Sequence, residues 1–285
     1  MMRIAVTGNE GQLARCLSDI GPRTGVEIVL CGRPALDLAV PGTILPALAA
    51  ARPDVIISAA AYTAVDQAES DRQTAFAINA IGASTVARAA ACLGVPLIHI
   101  STDYVYDGLK DGWYEEADRT NPLSVYGESK LEGERRVAEE TADFAIFRTA
   151  WVHSPHGRNF LKTMLRIGES ATSVRVIADQ WGCPTSAADL AAACLAAARQ
   201  LAENADPALR GIFHVVGSGD GSWADFAELI FAEAGRHGRH PVHVDRIDSR
   251  DYPLPARRPA NARLSCRKLG ETYAIEMPDW RVSAA

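Results

Sequence analysis

Short apolar, β-rich runs alternate with longer helical stretches through the first half of this chain, and few folds accept that order. Runs at 3–7, 27–31, 54–58, 96–101 and 144–149 have strand length and composition. Helical segments follow the first run and occupy 43–51, 71–93 and 124–140. The second of these ends at Gly94, a residue suited to a left-handed helix terminus. Repeated strand–helix units predict an α/β fold with a doubly wound parallel sheet and helices on both faces. Past residue 150 the pattern loosens. We expect a helix over 159–168, a strand at 174–178, a rigid loop at 179–185 and an alanine-rich helix over 187–202. A strand at 212–216, an amphipathic helix over 223–234 and a proline-punctuated remainder complete the chain.

The first strand runs into Gly8-Asn9-Glu10-Gly11-Gln12-Leu13-Ala14. Two glycines here permit a sharp turn and let a pyrophosphate approach the N–H groups that open the next helix. Ala14, at the third small position, lets that helix pack on the strand. A glycine turn directly after the first strand points to dinucleotide binding on a Rossmann-type sheet. At the end of the second strand, many NAD-binding sheets carry an acid for the adenosine ribose; this chain has Cys31, Gly32 and Arg33. Arg33 either receives a 2′-phosphate, which favours NADPH over NADH, or is a surface arginine in a turn. Asp37 either closes the site near the adenine or starts the loop before the next helix. The third strand opens into Ala59-Ala60-Ala61-Tyr62-Thr63, whose small side chains leave room for a cofactor across the sheet edge. Residues 1–150 are therefore expected to form an NAD(P)-binding domain. Residues 151–285 are expected to form mainly a smaller substrate-binding lobe, with some segments returning to the core.

Tyr126 and Lys130 stand four residues apart near the start of a helix and share one face. A phenol with a pKa of about 10 exchanges protons poorly at neutral pH, and an ammonium beside it favours the phenolate. By itself the pair reads as a solvated helix face. Thr102 ends the fourth strand, where open α/β sheets bind ligands. It either orients a carbonyl for Tyr126 or caps its own strand end, with Asp103 and Tyr104 beside it. Trp151, at the end of the fifth strand, either contacts a sugar or base or simply packs. Arg257, Arg258 and Arg263 either clamp a diphosphate or form a solvated basic turn. Glu132, Glu134, Glu139 and Glu140 read as a solvated acidic face. Asn79 is either a member of a polar network or a surface residue.

A net charge of −6 with no lysine- or arginine-rich run argues against nucleic acid as a partner. The six cysteines are scattered, so reduced thiols are expected and not a zinc site or a disulfide framework. No apolar run reaches the roughly 18 residues of a membrane span, and the start carries no signal-peptide pattern. A soluble cytoplasmic protein is expected.

Several motifs then fall in a recognisable order. They are the glycine turn (Gly8, Gly11), Thr102-Asp103-Tyr104-Val105, Tyr126-x-x-x-Lys130 and Arg148-Thr149-x-Trp151-Val152. Asp179-Gln180-x-Gly182-x-Pro184-Thr185 and Arg258-Pro259-x-Asn261-x-Arg263-Leu264 follow. Together they resemble the extended short-chain dehydrogenase/reductases, and among these the dTDP-4-dehydrorhamnose reductases, over nearly the whole chain. The resemblance implies reduction of the 4-keto group of a dTDP-sugar by NAD(P)H. It implies that Tyr126 protonates the carbonyl oxygen, Lys130 tunes Tyr126 and binds the nicotinamide ribose, and Thr102 orients the carbonyl. It places Gly8, Glu10, Gly11, Gln12 and Leu13 at the pyrophosphate, Asp37 and Leu38 at the adenine side, and Ala60, Ala61 and Thr63 at the inner ribose and phosphate. Asp103, Tyr104, Trp151, Asn159 and Arg258 fall to the substrate. Some members bridge subunits with Mg²⁺ through acids, one of them in the first helix just after the glycine turn; here Arg15 and Cys16 stand there, neither a hard oxygen ligand. A monomer or a metal-free homodimer is expected.

Rivals on the same fold are weaker. A sugar-nucleotide dehydratase usually carries Asp-Glu after the threonine, where this chain has Asp103-Tyr104. An epimerase holds its NAD⁺ tightly, whereas Arg33 without a strand-end acid suggests exchangeable NADPH. The non-catalytic regulatory subunit of methionine adenosyltransferase is also similar, but the intact Thr102/Tyr126/Lys130 set speaks for catalysis.

Overall fold

The structure, a computed structural model, describes residues 1–284. Six strands form the central sheet: β1 (Met2–Thr7), β2 (Val26–Cys31), β3 (Val55–Ser58), β4 (Leu97–Thr102), β5 (Phe144–Thr149) and β6 (Gly211–His214). Their order is β6-β5-β4-β3-β1-β2, and every neighbouring pair is parallel. Such strands are covered on both sides, so they read as continuous apolar runs; all four residues of β3 are buried. The chain leaves β1 for β2 on one side and returns to β3 on the other. That reversal opens a crevice at the C-terminal ends of β1 and β3, where ligands bind in this class of sheet.

One face carries α1 (Gln12–Ile20) and α5 (Ala187–Glu203). Leu13 and Leu17 of α1 pack there with Leu190, Cys194 and Leu201 of α5. The other face carries α2 (Ile44–Ala51), α3 (Arg72–Leu93) and α4 (Val125–Glu140). The expected doubly wound α/β architecture is present. Gly94 ends α3 at φ 66°, in the left-handed region anticipated for it. Inside α3 the regular helix gives way to a π-helical stretch, Ala77–Gly82. By length and average composition α3 is long and apolar enough to cross a membrane, although Arg72, Asn79 and Arg88 interrupt its apolar run. Half of its apolar window is instead buried, with Val86, Ala87 and Ala90 in the core between the sheet and α4.

Beyond β5 the chain builds a second cluster around Met164, Phe226, Ile230, Phe231 and Trp280. Helices Phe160–Ile167 and Trp223–Arg236 pack there on a parallel pair, Ser173–Ile177 with His243–Ile247. The second of these strands lies within the proline-punctuated remainder and was not anticipated. The expected rigid loop at 179–185 is partly paired: Trp181–Gly182 bonds to Gly221–Ser222 on one side and Asn261–Ala262 on the other. The arginine-bearing segment is thereby tied to the 179–185 loop.

Candidate active site

The C-terminal ends of β1, β3, β4 and β5 open into a cleft of about 920 Å³. It is lined by Gly8, Glu10, Gly11, Gln12, Leu13, Arg33, Asp37, Leu38, Ala60, Ala61 and Thr63 at one end. Thr102, Asp103, Tyr104, Tyr126, Lys130 and Trp151 line the other. Thr7 braces the first end, its hydroxyl accepting N–H bonds from Ala59 and Ala60 at 3.0 Å each. Gly8 has a φ of 93°, and a side chain there would press on Ala60 Cβ at 3.3 Å. Gly11 precedes α1 in an extended conformation, no side chain caps the helix, and its first turn holds no acid. The unpaired N–H groups and the positive helix end therefore suit an anion, and a dinucleotide pyrophosphate fits this donor set. Arg33 stands exposed at the rim. Asp37 accepts the Ala39 N–H at 2.9 Å, so it starts a turn while also lining the cleft.

At the other end α4 begins at Ser124, whose hydroxyl accepts the Gly127 N–H. Tyr126 and Lys130 are 9% and 2% exposed. The Tyr104 ring meets the Tyr126 ring edge-on, with centroids 5.4 Å apart. Thr102 donates to Asp103 Oδ1 at 2.9 Å and accepts the Tyr104 N–H at 3.3 Å, so it caps its strand end from within the cleft. Burial pushes the Tyr126 phenol up to about 12; the Thr102 hydroxyl opposes this and the Asp103 charge adds to it. Burial thus outweighs the downward pull expected of the Lys130 ammonium, and the phenol stands above its ordinary value. The Lys130 ammonium donates to the Ile100 carbonyl at 2.7 Å, and burial pulls its own pKa down to about 8 against the pull of Glu134. Burial likewise raises Asp103 to about 7, against the Thr102 hydroxyl and backbone N–H bonds. A phenol kept protonated beside a hydroxyl and an ammonium, away from water, can donate a proton to an oxyanion developing in the cleft.

Trp151 combines both roles weighed for it. Its ring stacks on Trp223 with centroids 3.6 Å apart, and it also lines the cleft, from a backbone φ of 48°. Asn159 and Arg258 do not line the cleft. Asn159 caps its helix through the Lys162 N–H at 3.0 Å and donates to Gln12 Oε1 at 2.7 Å, which ties the 154–159 loop to the glycine turn. Arg258 pairs with Asp66 at 2.7 Å and Arg263 with Asp220 at 3.3 Å, so these two arginines of the basic turn are ion-paired. Asn79 proves to be the network member: its amide bridges the backbone of Tyr62 and donates to Ser129. Glu134 is a second correction. Assigned by its sequence to a solvated face, it is 3% exposed and doubly bonded to Arg148, because its partner arginine comes from β5. Gly157 and Arg158 also line the cleft and went unnoticed. Only tertiary folding returns that loop to α1, and nothing local marks it. Among the described residues no three His, Cys, Asp or Glu side chains converge as a metal site would require.

The family profile described as RmlD substrate binding domain matches residues 2–285. A dTDP-4-dehydrorhamnose reductase of Sinorhizobium fredii is 50% identical over 99% of this chain and 95% of its own length. One from Escherichia coli is 41% identical, with 99% and 95% covered. The crystal structure of dTDP-4-dehydrorhamnose reductase from Bacillus anthracis in complex with NADP superposes with a TM-score of 0.92 at 34% identity, covering 100% of this chain and 98% of that one. With likenesses that run almost end to end, from the glycine turn to the C-terminal arginine segment, the chain belongs to the dTDP-4-dehydrorhamnose reductase family.

Proposed function

We propose that this protein reduces the 4-keto group of dTDP-4-dehydro-6-deoxy-L-mannose to give dTDP-L-rhamnose, the last step of dTDP-rhamnose synthesis. When bound, NADPH supplies the hydride that forms the new C–H bond at the sugar's C4. The carbonyl π electrons move onto oxygen, and Tyr126 delivers its phenolic proton there. The raised phenol pKa keeps that proton in place until the oxyanion develops. Thr102 holds the oxygen within reach of Tyr126. Lys130 binds the nicotinamide ribose, and its positive charge stabilises the phenolate left behind. Asp103 and Tyr104 flank the sugar and Trp151 gives it a flat wall. Gly8, Glu10, Gly11, Gln12 and Leu13 cradle the cofactor pyrophosphate, Asp37 and Leu38 border the adenine, and Ala60, Ala61 and Thr63 border the inner ribose. Arg33 receives the 2′-phosphate, which sets NADPH ahead of NADH.

One observation carries this reading: a single cleft runs from the uncapped start of α1 to the buried Thr102/Tyr126/Lys130 group. We take the enzyme to be soluble and cytoplasmic, and a monomer or a homodimer without bridging Mg²⁺. Arg15 and Cys16 offer no hard oxygen ligand where such a metal would need one.

The test follows nicotinamide absorbance in purified protein mixed with NADPH and enzymatically prepared dTDP-4-dehydrorhamnose. Oxidation that depends on the sugar is expected, and its absence with both NADPH and NADH would end the reading. Tyr126→Phe is expected to cut turnover about 100-fold or more while NADPH still binds. A Phe variant with wild-type turnover would remove Tyr126 as the acid.

A further inference from the structure

The stripe of α4 that carries Tyr126 and Lys130 continues one turn further to Glu134. Glu134 accepts the Ser101 hydroxyl and two bonds from Arg148, at 2.9 and 2.6 Å. Arg148 in turn donates to Tyr106 Oη at 2.7 Å. From β4, His99 brings its Nε2 to 3.4 Å from Lys130 Nζ. His99 is 1% exposed, and its other ring nitrogen is buried without a partner. A buried imidazole usually satisfies itself in the core. Among the described residues, the only side chain within bonding distance of this ring is Lys130. The ammonium has three protons to place, and the Ile100 carbonyl takes one.

We propose that His99 and Glu134 are positioning residues for Lys130: His99 accepts one ammonium proton, and Glu134, locked by Arg148 and Ser101, supplies the counter-charge one turn along the helix. The proposal rests on the assignment of Lys130 to the cofactor ribose. It requires a neutral His99 with its proton on Nδ1 and its lone pair on Nε2. Burial and the Lys130 charge both hold His99 neutral. Burial pulls Lys130 down, and Glu134 keeps it from falling further. The titratable and charged groups around Lys130 are His99 from β4, Tyr126 and Glu134 from its own helix, Asp103 beyond Tyr126, and Arg148 of β5 behind Glu134. Without the two positioning residues the ammonium would lose its proton at lower pH and its aim at the ribose.

The test is NADPH affinity as a function of pH, read by quenching of tryptophan fluorescence. In the wild type, affinity falls as Lys130 deprotonates, and Lys130→Met abolishes that pH dependence. His99→Leu keeps the volume and removes the acceptor. It is expected to weaken NADPH binding about tenfold near pH 8 and to move the fall to lower pH. His99→Gln, which restores an acceptor, recovers both, and Glu134→Gln moves the fall in the same direction as His99→Leu. Folded His99→Leu and Glu134→Gln proteins with wild-type affinity and pH curve would overturn the proposal. Because binding is measured, failure of the reductase reading shows separately, as NADPH that binds but is not oxidised with the sugar. If thermal melts show that the Leu and Glu134→Gln variants do not fold, wild-type protein labelled with ¹⁵N-histidine decides. The His99 ring, identified by its loss from His99→Gln spectra, is expected to carry its proton on Nδ1, and a proton on Nε2 overturns the assignment.

Discussion

Asp103 is the most exposed to test of the single residues. It is 2% exposed, with one oxygen held by Thr102 and the other buried without a partner. Burial lifts its pKa from 3.8 to about 7, so the folded state prefers the neutral acid. The stability this carboxyl contributes is complete below about pH 4 and is lost as pH rises through about 7. Asp103→Asn keeps an acceptor for Thr102 and never ionises. It is expected to raise Tm by several degrees at about pH 8 and by no more than about a degree at about pH 4. Scanning calorimetry at both pH values checks this, and an equal shift at both would assign the effect to packing instead. At the other end of the cleft Arg33 follows the end of β2, where the proposed reading puts the adenosine ribose and where an acid would suit NADH. Arg33→Ala is expected to weaken NADPH about tenfold and NADH hardly at all, measured by parallel titrations. Equal losses for the two cofactors would leave Arg33 as a general phosphate contact.

At the scale of elements, α4 holds its position because two glycines let it come close. A side chain at Gly127 would meet the Tyr104 carbonyl oxygen at 2.3 Å, and one at Gly133 would meet the Asn79 carbonyl oxygen at 2.1 Å. The second contact is with the π-helical stretch of α3. Alanine in a helix gains about 1 kcal/mol over glycine in propensity, but forcing backbone apart costs about 1–3 kcal/mol and more at this distance. Gly133→Ala is therefore expected to lower stability, with a lower urea midpoint and an unchanged slope. It is also expected to slow turnover, since the same helix carries Tyr126. Strands and helices of the sheet were legible to within a residue or two because short apolar runs and glycine turns set their ends. The π-helical stretch was not: alanine-rich α3 has too few large side chains to betray a change of period. Glu134 was misread for a related reason. Helical spacing shows which residues share a face, but not that Arg148 meets this one from a strand.

For the whole molecule, the lining of the candidate cleft was largely legible, since most of its residues sit at the ends of strands that the alternation marks. Contacts between distant segments were not. Arg258 with Asp66, and Asn159 with Gln12, join residues far apart in sequence, and no local pattern announces either pair. The same long-range packing bears on the proposed division at residue 150. One face of the sheet is completed by later segments: Leu190, Cys194 and Leu201 of α5, Phe213 of β6 and Tyr273 pack with Leu13, Leu17 and Phe147. A fragment of residues 1–150 would leave α1 alone on its side of the sheet and β5 as a bare edge. We therefore read the division as one of labour, with folding shared. The fragment is expected to show no cooperative melt and no NADPH binding, whereas the full chain melts in one transition. NADPH at a hundredfold excess over its Kd is expected to stabilise the full chain by about 2.7 kcal/mol, because it binds only the folded state. A fragment that melts cooperatively and binds NADPH would show instead that the first 150 residues fold alone, with α5 and β6 merely docking on a finished core.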